Sequence, residues 1–126
     1  NELNSEIARY MLEHAGMVVT CAEDGAAALG EFNASAPGTF DAVLMDIMMP
    51  VMDGYAATRA IRASGRPDAT VPIVGMSANA FSDDRLRAKE AGMDDYLAKP
   101  VGAVLLLKTL VRLCASAERR EESHGE

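Results

Sequence analysis

Three residues in this sequence combine types that can do chemistry with a common placement. Asp46, Ser77 and Lys99 each follow directly on a short apolar run. If those runs are strands, a carboxylate, a hydroxyl and an ammonium converge on one rim. Polar groups set against apolar strands are unfavourable unless they serve one another or a ligand. An ionised carboxylate attacks phosphorus directly and forms an acyl phosphate without a general base. Such a transfer needs mainly positioning and charge neutralisation. Lys99 can offset phosphoryl charge as a point cation, and Ser77 can donate a hydrogen bond. Mg²⁺ takes hard oxygen ligands, so Asp46 and a backbone carbonyl suit it. The trio alone equally allows a structural reading, in which Asp46 caps a helix or pairs with Lys99.

The elements that must position these residues alternate along the chain. Ile7, Ala8, Met11, Leu12 and Ala15 recur at helical spacing, and Gly16 supplies a stop. Met17 to Cys21 is short and β-branched and reads as a strand. Asp24 and Gly25 open a second helix carrying Ala28, Leu29 and Phe32, followed by a loop over Asn33 to Thr39. Phe40 to Asp46 is the next strand, continuously apolar as expected where helices cover both faces. Asp53 is the expected N-cap of a helix through Ala63. Val71 to Ser77 is a strand, Ser82 caps a helix over Asp83 to Ala91, and Gly92 closes it. Asp95 to Ala98 is a short strand. Val101 to Ala117 forms the last helix, with Val104, Leu107, Leu110, Val111 and Cys114 inward. The domain is expected to span residues 1–117, leaving 118–126 as a charged tail or linker. Strand–helix alternation implies an α/β fold with a parallel sheet, in which chemistry gathers at the C-terminal strand ends.

Composition bounds the function. The chain has 126 residues, a single-domain length, with 49% hydrophobic and 25% charged residues. A formal net charge of -7 argues against nucleic-acid or anionic-membrane binding by this segment. Cys21 and Cys114 are far apart, form no metal motif and read as small buried hydrophobes in a reducing, cytoplasmic setting. No apolar run is long enough to span a bilayer. Gly-rich phosphate loops are absent, which removes nucleotide-binding relatives of the same architecture. His14 reads as a partly covered helix residue. Met48, Met49 and Met52 read as a soft docking rim beside core residue Met45.

Four segments resemble response-regulator receiver domains of two-component systems. Leu44 to Gly54 (LMDIMMPVMDG) is similar to their phosphoacceptor segment, and Val74 to Ala80 (VGMSANA) to their switch-hydroxyl strand. Ala91 to Pro100 (AGMDDYLAKP) is similar to their last strand and Lys-Pro turn, and Asp24 to Leu29 to the opening of their second helix. The likeness covers about residues 1–115 and is closest to receivers of hybrid sensor histidine kinases. It implies a flavodoxin-like, doubly wound sheet of strand order 2-1-3-4-5. It also implies roles. Asp46 would be the phosphoacceptor, Ser77 and Lys99 its partners, and the Met48 carbonyl a Mg²⁺ ligand beside Asp46. Tyr96 would be an aromatic switch that swings in as Ser77 moves, although alone it reads as a half-buried strand tyrosine. Met48 and Asn79 would flank the attacking water; neither is an acid or base, so slow self-hydrolysis is expected. The Lys99-Pro100 bond would be cis. The partner would be a histidine kinase or a histidine phosphotransfer domain, and weak homodimerisation is a further expectation. The domain would be an acceptor rather than an enzyme, within a protein that is itself a hybrid kinase and sits at the cytoplasmic face of a membrane.

One part of the family pattern has no counterpart. Receivers begin with an apolar strand ending in two acidic residues that hold Mg²⁺, whereas Asn1-Glu2-Leu3-Asn4-Ser5 resembles the segment just after that pair. Three explanations compete: the sequence begins partway through a longer protein, a partner donates the strand, or the chain is a degenerate receiver. The first is the expectation. The last makes a non-phosphorylatable pseudo-receiver, a protein-binding module, the alternative function. A phosphoaspartate phosphatase is disfavoured, because its second Asp would stand at Met48.

Overall fold

The structure is a computed structural model that describes residues 9–20, 22, 24–47, 52–77, 82–98 and 102–124. Helix α1 covers residues 9–14 and ends where Gly16 turns left-handed at φ 91°. Helix α2 (Gly25–Ala34) starts on Asp24, whose carboxylate accepts the Ala27 N–H at 2.8 Å. Strand β1 (Val43–Asp46) leads to helix α3 (Gly54–Arg62), capped by Asp53 through the Ala56 N–H at 2.8 Å. Strand β2 (Ile73–Ser77), helix α4 (Ser82–Ala91), strand β3 (Asp95–Ala98) and helix α5 (Ala103–His124) follow. Ser82 is thus the first helical residue of α4 rather than its cap.

Among the described residues the sheet is parallel, in the order β1-β2-β3. Its register pairs Asp46 with Met76 and Ser77 with Ala98. Each face carries its own core. Met45, Ile47, Ile73 and Tyr96 pack with Phe32 of α2, Tyr55 and Ile61 of α3, and Ala88 and Ala91 of α4. On the other face Val74 and Leu97 pack with Leu12 of α1 and Leu106, Leu110 and Leu113 of α5. Two covered faces explain why β1 and β2 read as unbroken apolar runs.

Three further sequence expectations need correction. Among the described residues, 17–20 pair with no strand, although Met17 to Cys21 reads as one. A strand exists through its partner, and the described sheet, β1-β2-β3, offers none to this segment. Helix α5 turns a different face inward: Leu106, Thr109, Leu110 and Leu113 are buried, whereas Val104 and Val111 are 67% and 63% exposed. It also continues to His124, well past Ala117.

Two arginines tie segments together away from Asp46, Arg62 at the starts of β2 and β3 and Arg66 at the end of α2. Arg62, at the end of α3, donates to the carbonyls of Gly92 (2.9 Å), Ala69 and Val71 (both 2.7 Å) and pairs with Asp94 at 2.9 Å. Asp94 also accepts the Ile73 N–H at 2.9 Å, so one guanidinium and one carboxylate join α3 to the starts of β2 and β3. Arg66 donates to Asn33 and Ser35 carbonyls, each at 2.9 Å, lies over the Phe32 ring at 4.7 Å and pairs with Asp68 at 2.9 Å. The hydrogen bond from Arg66, reinforced by the Gly38 N–H, holds the Asp68 carboxyl below the usual carboxylate range. A depressed folded pKa contributes stability that is present above the unfolded value and lost as pH falls through the folded one. In urea melts, Asp68→Asn should therefore be less stable than the parent at neutral pH. The gap should close as pH drops below about 3.8, the unperturbed carboxyl value.

Candidate functional site

Asp46 is the last residue of β1 and Ser77 the last of β2. Adjacent strands lie ~4.8 Å apart, and Asp46 is paired with Met76, so Ser77 lies one residue beyond that partner, diagonal to Asp46 on the C-terminal rim. Ala98, opposite Ser77, ends β3, and Lys99 is the next residue along the chain. Lys99, Pro100, Met48 and Asn79 lie outside the described residues. Ser77 is 4% exposed and its hydroxyl is not left orphaned.

The backbone at Asp46 is held by a contact that residue types and spacing do not reveal. The Gly54 N–H donates to the Ile47 carbonyl at 3.2 Å. A β-carbon on Gly54 would stand 2.5 Å from the Asp46 carbonyl oxygen and 3.0 Å from Ile47 Cα. Helix α3 therefore begins against the peptide that carries Asp46, at a separation only glycine permits. Gly25 does the same for α2, since a β-carbon there would collide with the Met52 carbonyl oxygen. The signal was present as a glycine after each capping aspartate, but it reads locally as turn punctuation.

Tyr96 is 4% exposed and packs in the core on the α2–α4 side of the sheet. Gly75 makes room for it: a β-carbon there would approach Tyr96 Cδ2 to 3.2 Å and Met93 Sδ to 2.5 Å. The Arg85 guanidinium lies 5.9 Å from the Tyr96 ring centroid. His14 stacks on Tyr10 at 5.3 Å on the exposed side of α1.

Among the described residues no group of three or more His, Cys, Asp or Glu is arranged to hold a metal ion. Asp46 fits Mg²⁺ as one hard oxygen ligand. Mg²⁺ commonly keeps several waters and takes one or two carboxylates plus phosphate oxygens, so one carboxylate on the rim is compatible with it.

The sequence model of the response regulator receiver domain matches residues 1–111. The chain belongs to that family. This receiver domain is 38% identical to Sensor protein GacS of Pseudomonas syringae pv. syringae over 121 residues, which is 94% of the chain and 13% of GacS. It is 39% identical to Sensor histidine kinase RcsC of Salmonella typhimurium over 108 residues, 86% of the chain and 11% of RcsC. Thus the receiver spans only a small part of the curated relatives it matches. Among solved structures it resembles the receiver domain of sensor histidine kinase PA1611 from Pseudomonas aeruginosa PAO1. The TM-score is 0.81 at 40% identity, covering 91% of each chain, and that protein has a magnesium ion coordinated in its active site cleft. Vibrio cholerae chemotaxis protein CheY4 superposes with a TM-score of 0.79 at 28% identity, covering 89% of each chain. The flavodoxin-like architecture expected from the sequence is therefore the fold. No helix among the described residues is long and apolar enough to cross a membrane.

Proposed function

We propose that this receiver domain takes a phosphoryl group on Asp46 from a phosphohistidine of a histidine kinase or a histidine phosphotransfer domain. The placement of Asp46 and Ser77 at the ends of adjacent strands carries this reading. An Asp46 carboxylate oxygen attacks phosphorus as the P–N bond breaks, leaving an acyl phosphate and a neutral imidazole once the ring nitrogen has its proton. Bound Mg²⁺ supplies neutralisation of phosphoryl charge, with Asp46 and the Met48 carbonyl as ligands from this chain. Lys99 pairs with a phosphoryl oxygen. Ser77, buried and already partnered, exchanges that partner for another phosphoryl oxygen, and Tyr96 follows it on the same face of the sheet. Met48 and Asn79 offer no acid or base to an attacking water, so the acyl phosphate is long-lived. Residues 1–117 make up the receiver, 118–126 connect it onward, and the whole protein is a hybrid sensor histidine kinase with this domain on the cytoplasmic side.

Acetyl phosphate with Mg²⁺ tests the reading directly. The expected result is a mass gain of one phosphoryl group that requires Mg²⁺, is blocked by prior exposure to beryllofluoride and decays over many minutes. Decay within seconds would refute the role given to Met48 and Asn79. A second reading keeps the receiver fold but not the acceptor chemistry. In that reading the chain is a pseudo-receiver that binds partners without phosphorylation, and no mass gain at any Mg²⁺ concentration is its signature.

A further inference from the structure

Helix α4 reaches α3 through a charge. The Arg87 guanidinium of α4 lies 4.7 Å from the ring centroid of Tyr55, the second residue of α3. A guanidinium over an aromatic face is attracted by the negative charge of that face. Arg87 is exposed, whereas Tyr55 is buried in the core cluster that also holds Met45 and Ile47, the two chain neighbours of Asp46. Tyr55 follows Gly54, which is seated against the Asp46 peptide with no room for a β-carbon and donates its N–H to the Ile47 carbonyl. The first turn of α3 thus meets the end of β1 without slack. A shift of the Tyr55 ring carries Gly54, and a shift of Gly54 carries the backbone of Asp46.

We propose that Arg87 is a positioning residue for phosphoryl transfer to Asp46, acting through the Tyr55 ring. This rests on the acceptor role given to Asp46 above. The cation holds the ring, the ring holds the first turn of α3, and that turn holds the peptide that carries the carboxylate. In-line attack is sensitive to such placement, since a displacement of about 1 Å costs up to about a hundredfold in rate. A general effect of charge has to be separated from this one. The chain carries a formal charge of -7, so removing any cation makes it less attractive to an anionic phosphodonor. Lys89 supplies the comparison: it is exposed on the same helix, two residues beyond Arg87.

The test follows uptake from acetyl phosphate with Mg²⁺ by intact mass in Arg87→Met, Arg87→Lys and Lys89→Met, with circular dichroism to check that each folds. Arg87→Met keeps a long side chain without its charge and should slow uptake by about three- to tenfold. Arg87→Lys should recover most of the rate, because an ammonium also binds a ring face. Lys89→Met should stay within about twofold of the parent, which bounds the general effect of charge. Without any phosphodonor, the amide resonances of Asp46, Ile47 and Gly54 should move in isotope-labelled Arg87→Met and hold still in Lys89→Met. A double-mutant cycle completes the test: Arg87→Met should cost nothing further in a Tyr55→Leu background and its full amount in Tyr55→Phe. Parental uptake in Arg87→Met, equal slowing in Lys89→Met, unmoved amides at Asp46, or additive effects with Tyr55→Leu would each overturn the positioning role while leaving Asp46 as acceptor. A parent chain that gains no phosphoryl group at any Mg²⁺ concentration overturns the acceptor reading, and this proposal with it.

Discussion

Asp46→Asn should abolish phosphoryl uptake from acetyl phosphate while leaving the fold intact. Asparagine keeps the shape of the side chain but replaces the nucleophilic oxygen pair by an amide, which cannot form a stable acyl phosphate. The strand ladder at this position runs through the backbone, pairing residue 46 with Met76, and the Gly54 contact is also to the backbone carbonyl. Neither depends on the carboxylate. Intact mass after incubation should show no gain, against full modification of the parent, and thermal unfolding should shift little. A phosphorylated Asp46→Asn variant would mean that another carboxylate accepts the group. Asp53 is the next along the chain after Asp46, but its side chain is already engaged in capping α3.

Gly54→Ala should be the most disruptive single methyl addition near the site. Two of the closest atoms are backbone, the Asp46 oxygen at 2.5 Å and Ile47 Cα at 3.0 Å, so no side chain can rotate away to relieve the contact. The helix must back off or β1 must bend, and overpacking of this kind costs about 1–3 kcal/mol. Alanine's better helix propensity returns only about 1 kcal/mol at most. Gly30 supplies the control. It lies within α2, and a methyl group there would meet nothing within 4 Å, so Gly30→Ala should stabilise the chain by about 0.5–1 kcal/mol. Urea midpoints of the two variants should move in opposite directions. Because the Gly54 clash displaces the Asp46 peptide, uptake should also slow in Gly54→Ala and stay normal in Gly30→Ala.

The two rim residues were legible because a polar residue ending an apolar run is a local pattern. β3 was legible in full, Asp95 to Ala98, since Gly92 and Lys99-Pro100 bracket it. What failed depended on contacts between distant parts of the chain. Residues 17–20 have strand-like composition, but ladders are made by partners, not by composition. In α5, apolar residues at 104, 105, 106, 107, 110, 111 and 113 make the stripe too wide for periodicity to choose a face. Docking against Leu12, Val74 and Leu97 chooses Leu106, Leu110 and Leu113. The need for glycine at 25, 54 and 75 is likewise a matter of what lies across the gap: Met52, Asp46 and Met93.

Helix α3 is fastened at both ends. Its first residue abuts the Asp46 peptide, and its last, Arg62, is bonded to four separate points on the segments around β2 and β3. A nine-residue rod pinned in this way cannot tilt to follow a new charge at its tip. It works as an anvil. Helix α4 is attached differently: among its described residues it buries two methyl groups, Ala88 and Ala91, and lays Arg85 and Arg87 over the Tyr96 and Tyr55 rings. If Asp46 takes a phosphoryl group as proposed, α3 is the element least free to follow it.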